Sequence, residues 1–129
     1  MHQKIKSLAS GYLNDVIGLR RHLHQNPELS FKEFKTAEFV WNQLDAIGIA
    51  DKQKLAATGI VALIKGRNAD KKTVALRADM DALPIIEANE VPYKSQNIGV
   101  MHACGHDAHT ASLLGAARIL NELKNEFEG

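Results

Sequence analysis

Residues 101–109 read Met101-His102-Ala103-Cys104-Gly105-His106-Asp107-Ala108-His109 and place three histidines, an aspartate and the chain's only cysteine in nine positions. Thiolate and imidazole are the donors that zinc and neighbouring transition ions prefer. Cys104 and His106 stand two positions apart, about 6.5 Å between α-carbons if the chain is extended, so both side chains could reach one ion. A second chemical group lies in Arg77-Ala78-Asp79-Met80-Asp81-Ala82-Leu83-Pro84. Asp79 and Asp81 also stand two apart, at the carboxyl end of an apolar run, which is where open α/β sheets place their ligands. A carboxylate behind a ligating imidazole fixes its tautomer, so the two groups together could build a metal site with a supporting acid.

Each of these residues has a plainer role open to it. A free cysteine is often a small buried hydrophobe. Asp107 precedes an apolar helical pattern and is read as its cap rather than as a ligand. Asp79 and Asp81 could be turn residues leading to Pro84. His102 could bond the loop, and His109 could face solvent. His22 and His24, beside Arg20 and Arg21, read as a solvated helix end whose cations complement the dipole.

The elements that must position these groups follow from periodicity. Ile5, Leu8, Tyr12, Leu13, Val16, Ile17, Leu19 and Leu23 recur at spacings of three and four, predicting an amphipathic helix to about Gln25, stopped by Pro27. Ser30 with Glu33 predicts a capping box for a second helix, in which Phe34, Ala37, Val40, Trp41, Leu44 and Ile47 share a face up to Gly48. Residues 50–55 read as a short extended piece. The runs Gly59–Ile64 and Thr73–Leu76 predict buried strands, with Gly66–Lys72 as a hairpin loop between them. Residues 80–106 look irregular, and a last helix carries Leu113, Leu114, Ala117, Leu120 and Leu123. Helices before and after strands predict a layered α/β domain.

Composition narrows the function classes. The 129 residues carry 16 basic and 15 acidic side chains, a net charge of +1 that gives no field for steering nucleic acid or an anionic membrane. One cysteine allows no internal disulfide, and the start MHQKIKSLAS lacks the apolar stretch of a signal peptide, so a cytoplasmic setting is expected. No window approaches the ~18 to 20 apolar residues of a membrane span.

Four blocks resemble a known family: Arg20-Arg21-His22-Leu23-His24-Gln25-Asn26-Pro27-Glu28-Leu29-Ser30-Phe31, Thr58-Gly59-Ile60-Val61, Arg77 to Ile85, and Gly99 to Thr110. In order and spacing they are similar to the N-terminal part of the metal-dependent amidohydrolases that include hippurate hydrolase, indole-3-acetyl-amino-acid hydrolase and N-acetyldiaminopimelate deacetylase, relatives of the aminoacylases. The resemblance implies a metallopeptidase-type α/β domain of two helices, two to three strands and a helix, with an incomplete sheet. It implies hydrolysis of the amide bond of small N-acyl amino acids by two divalent ions, manganese or zinc, with nickel or cobalt as alternatives. Cys104 and His106 fall on metal-ligand positions. Asp81 matches a catalytic support residue, and Asp79, standing where the wider superfamily has a histidine ligand, ranks behind it.

Family members are several times longer, with a lid and dimerisation domain. The resemblance therefore implies that residues 1–129 are the N-terminal segment of the catalytic domain. The lid and the C-terminal half, with paired glutamates and two further histidines, would be absent. The expectation is a fragment inactive by itself and prone to self-association, from a protein that forms a homodimer. The contrasting reading is a non-enzymatic Cys/His metal-binding or thiol module.

Overall fold

Helix α1 (His2–Gln25) ends where the sequence places its stop. The Asn26 main-chain N–H and side-chain Nδ2 both donate to the His22 carbonyl, at 3.2 and 2.8 Å, and Pro27, with no N–H to continue the ladder, starts the next segment. The computed structural model describes all 129 residues. Helix α2 (Phe34–Ala46) closes at Gly48, whose N–H donates to the Asp45 carbonyl at 2.9 Å while Ile49 N–H donates to Leu44 at 2.9 Å. These are the paired bonds of a Schellman motif.

The start of α2 differs from the expected capping box, for neither Ser30 nor Glu33 makes a side-chain cap bond. Glu28 does that work from a distance. Its carboxylate accepts from the Thr36 N–H at 2.8 Å, the Thr36 hydroxyl at 2.9 Å and the Lys35 N–H at 3.3 Å. Glu33 turns inward and accepts from the Thr58 hydroxyl at 2.9 Å. A carboxylate over first-turn N–H groups complements the helix dipole whichever residue carries it, so the tertiary partner displaces the local one.

Strands β1 (Lys52–Leu55) and β2 (Gly59–Ala62) pair antiparallel, with Lys52 opposite Ala62 and Leu55 opposite Gly59. The expected hairpin between Gly59–Ile64 and Thr73–Leu76 is not formed. β2 takes the segment before it as partner, and Thr73–Leu76 joins no ladder, with Val74 73% and Leu76 58% exposed. An apolar run marks a segment suited to a sheet, but a strand also needs a neighbour for its N–H and C=O groups, and no other segment pairs with this one. The spacer Gly66–Lys72 holds a short 3-10 turn, Ala69–Lys71, and is bonded to the chain end instead. Gly66 N–H donates to Gly129 at 2.8 Å, Arg67 N–H to Phe127 at 2.9 Å and Gly129 N–H to Arg67 at 2.9 Å, forming a parallel bridge between Arg67 and Glu128.

The architecture is α/β: two helices, an open two-stranded sheet and a third helix, α3 (His106–Glu122), the incomplete layered domain expected. Val40, Leu44, Ile49 and Leu114 form the core, with Leu19, Ile60 and Met80 packed around it. α3 lies against α1, and at Gly115 a Cβ would meet Val16 Cγ2 at 2.8 Å, so glycine is what lets the two helices approach. No helix is long and apolar enough to cross a membrane.

Candidate functional site

Three motif blocks meet around Asp81. Ala82 N–H donates to the Glu28 carbonyl at 2.8 Å, and Leu83 exchanges backbone bonds of 2.9 and 3.0 Å with Met101. The Thr110 hydroxyl, in the first turns of α3, donates to the Asp79 carbonyl at 3.0 Å. The segment after Thr73–Leu76 is thereby wedged between the turn following α1 and the loop that enters α3. Gly105 is the N-cap of α3 at φ 99°, a left-handed conformation that a Cβ would strain, and it turns the chain so that His106 opens the helix.

His106 Nδ1 lies 2.9 Å from Asp81 Oδ1 and 3.0 Å from the Asp81 carbonyl oxygen. Both neighbours only accept, so the proton sits on Nδ1 and Nε2 keeps a free lone pair. Cys104, two residues earlier on the same loop, has an exposed, unpaired thiol. The structure thus brings together the predicted acid Asp81 and the predicted ligand His106. Asp79 is not part of that contact: its carboxylate accepts from Arg77 Nη2 at 2.6 Å, a pair open to solvent. The ring of His109 lies 5.9 Å, centre to centre, from that of His106. No group of three or more His, Cys, Asp or Glu side chains is arranged to hold a metal ion within these residues.

Behind the loop lies a buried polar cluster that sequence reasoning missed. Asp107 is 1% exposed and is not the expected cap, since α3 has no side-chain cap bond. Its Oδ2 instead accepts from His24 Nδ1 at 2.7 Å and from Arg20 Nε at 2.9 Å. Two side chains from α1, the Arg20 guanidinium and the His24 ring, outcompete the helix's own N–H groups. His24, read as part of a solvated helix end, is 3% exposed, and its Nε2 faces Glu87 Oε1 at 3.0 Å. The sequence carries one signal of this: Arg20 and His24 stand one helical turn apart, so both can face a single carboxylate. Which carboxylate was not legible, because 63 and 83 positions separate His24 from Glu87 and Asp107.

Burial alone would push the Glu87 carboxyl up, but the Ser95 N–H at 2.7 Å, His24 and the Asn89 amide together hold it below its ordinary 4.5. A carboxyl lowered on folding stabilises the fold fully above the unfolded value and loses that contribution as pH falls through the folded one. Stability should therefore drop below pH 4.5. In Glu87→Gln, thermal melts across pH 3 to 7 should show a shallower acid limb and a lower melting temperature at neutral pH; an unchanged acid limb would contradict this.

His102 is buried, and neither ring nitrogen has a hydrogen-bond partner, so the expected loop bond is not made; Asp107 Oδ1 is likewise unpartnered. Burial lowers the His102 pKa below 6.5, Asp107 opposes this, and the neighbouring His24 and His106 add to it.

Residues 75–129 match the model of peptidase family M20/M25/M40. An N-acyl-L-amino acid amidohydrolase of Geobacillus stearothermophilus is 48% identical over 127 residues, 98% of this chain and 34% of that protein. An N-acetyl-L-cysteine deacetylase of Bacillus subtilis is 50% identical over 114 residues, 88% of this chain and 27% of that protein. Among solved structures, the Bacillus subtilis YXEP protein, described as a dinuclear metal binding peptidase from the M20 family, superposes with a TM-score of 0.88 at 43% identity, covering 93% of this chain and 34% of its own. The chain spans about a third of the length of the curated relatives it matches.

Proposed function

Because the chain matches the N-terminal portion of peptidase family M20/M25/M40, we propose that residues 1–129 are one wall of a divalent-metal site that hydrolyses the amide bond of small N-acyl amino acids. The observation that carries the reading is the His106 Nδ1 to Asp81 Oδ1 contact at 2.9 Å, beside an exposed Cys104 thiol. It leaves one imidazole lone pair and one sulfur, the donor chemistry of a borderline-soft ion, on a single loop. Cys104 and His106 would hold the metal, Asp81 orients His106 and strengthens its basicity, and Asp79 remains a supporting acid held by Arg77. Two names among the relatives, an N-acyl-L-amino acid amidohydrolase and an N-acetyl-L-cysteine deacetylase, support an acylated amino acid as substrate. The YXEP likeness supports two ions; the family resemblance of the sequence motifs makes them manganese or zinc, with nickel or cobalt as alternatives. When bound, such an ion supplies Lewis acidity to the scissile carbonyl. The lid, dimer contacts and remaining ligands belong to sequence outside these residues.

A catalytic ion usually has three protein ligands, and residues 1–129 contribute two. The 129-residue polypeptide alone should bind zinc or manganese weakly in equilibrium dialysis, lose that binding in Cys104→Ala and His106→Ala, and not hydrolyse N-acetyl amino acids. Joining the carboxyl-terminal part of the Geobacillus relative should raise the stoichiometry to two ions. Chelator-sensitive hydrolysis by the polypeptide alone would refute its incompetence. Tight binding of one ion, lost in Cys104→Ala and never accompanied by turnover, would favour a metal-binding module instead.

A further inference from the structure

His24, Glu87 and Asp107 are buried ionisable groups that lie behind the Cys104–His106 loop rather than on it. Withdrawing carboxylates from water is unfavourable unless they are paired with good geometry, and here one imidazole meets two of them. Its Nδ1 is 2.7 Å from Asp107 Oδ2 and its Nε2 is 3.0 Å from Glu87 Oε1. The ring thus has a carboxylate at each end, and Arg20 closes the cluster, its Nε 2.9 Å from Asp107 Oδ2 and its Nη2 3.2 Å from His24 Nδ1.

The two carboxylates sit on opposite flanks of the loop. Asp107 directly follows His106, so fixing it to α1 pins the first turn of α3. Glu87 also accepts from the Ser95 N–H at 2.7 Å, and the Ser95 hydroxyl donates to the Val100 carbonyl at 2.7 Å, so the same imidazole anchors the chain running into His102 and Cys104. We propose that His24 is a positioning residue for the Cys104–His106 segment, holding both flanks and thereby setting the approach of His106 to Asp81. Its consequence for a bound ion rests on the metal reading above; its consequence for the His106 ring does not.

Long-range 1H–15N NMR of the ring nitrogens in the metal-free chain tests this first. Wild type should show His106 as the Nδ1–H tautomer and a slowly exchanging ring N–H on the buried His24. In His24→Ala the His106 tautomer should become mixed and zinc affinity, measured by chelator competition, should fall at least tenfold, the scale for loss of outer-shell support. His24→Gln, which keeps a donor toward one carboxylate, should be intermediate. Thr58→Val, which removes the Thr58 to Glu33 bond, should lower the melting temperature and leave both readouts alone.

Retention of the Nδ1–H tautomer and of wild-type zinc affinity in the His24 variants would overturn the proposal, as would fast solvent exchange of every ring N–H on His24 in wild type. If His24→Ala does not fold, His24→Gln and the wild-type exchange measurement decide. If wild type binds no zinc while the His106 tautomer responds to His24, the positioning role stands and the metal reading falls.

Discussion

Asp107→Ala should destabilise the protein by about 3–5 kcal/mol, the range for removing one partner of a buried ion pair. The truncation leaves Arg20 and His24 facing an apolar methyl where a carboxylate stood at 2.9 and 2.7 Å. Two features pull the effect toward the lower end of that range. The Arg20 side chain is 33% exposed and can regain water, and Asp107 Oδ1 has no partner in the native fold, so its removal relieves one unsatisfied oxygen. Asp107→Asn keeps the shape and one acceptor and should lose about 1–3 kcal/mol. The scale matters because only 20 of the 129 residues are buried. Domains have roughly 0.05–0.15 kcal/mol of stability per residue, and a core this small belongs at the low end, so the alanine variant forfeits a large share. Urea titrations should show the midpoint moving down with the slope unchanged; a loss below about 1 kcal/mol would mean that α1 does not hold the start of α3.

Asp81→Ala should weaken zinc or manganese binding by about 10–100-fold while barely changing stability. The affinity effect follows from the 2.9 Å bond to His106 Nδ1, which fixes the tautomer that offers Nε2. The small stability effect follows from exposure, since both side chains keep a fifth to a quarter of their surface in water and exposed pairs contribute little. The Asp81 main-chain carbonyl, 3.0 Å from the same nitrogen, survives the substitution, which places the expected loss nearer tenfold. Asp81→Asn, with an amide oxygen in place of the carboxylate, should fall between wild type and alanine. Competition against a chromophoric chelator measures all three; equal affinities would remove Asp81 from behind the ligand.

What the sequence made legible was whatever is encoded within a few residues. The end of α2 follows from Gly48, the end of α1 from Pro27, and the start of α3 from the apolar positions after His106, whereas the capping of α2 came from Glu28 and not from the Ser30–Glu33 box. The His106 to Asp81 pairing could be anticipated because each residue lies in a short motif with its own chemistry. What failed needed a distant partner. Thr73–Leu76 has a strand's composition and nothing to pair with, while β1 found β2 across a turn in which Ala56 and Ala57 take φ values of 49° and 67°. Alanine gives no warning of a left-handed turn. Asp107 obeys the statistics of a helix cap yet serves His24, 83 positions away, because that ring and the Arg20 guanidinium together outweigh a first-turn N–H.

The parallel bridge between Arg67 and Glu128 has a practical side for anyone handling the protein. It sends the last residues in the same direction as Gly66–Lys72, with Gly129 so close to the Lys72 carbonyl that a Cβ there would stand 2.7 Å away. An affinity tag or reporter joined after Gly129 would start beside the exposed Thr73–Leu76 segment, and one joined before Met1 would extend the exposed end of α1, whose Lys4 pairs with Glu126 near the same chain end. A label on either end therefore starts close to the other, and the Lys4–Glu126 pair is the contact that each would crowd.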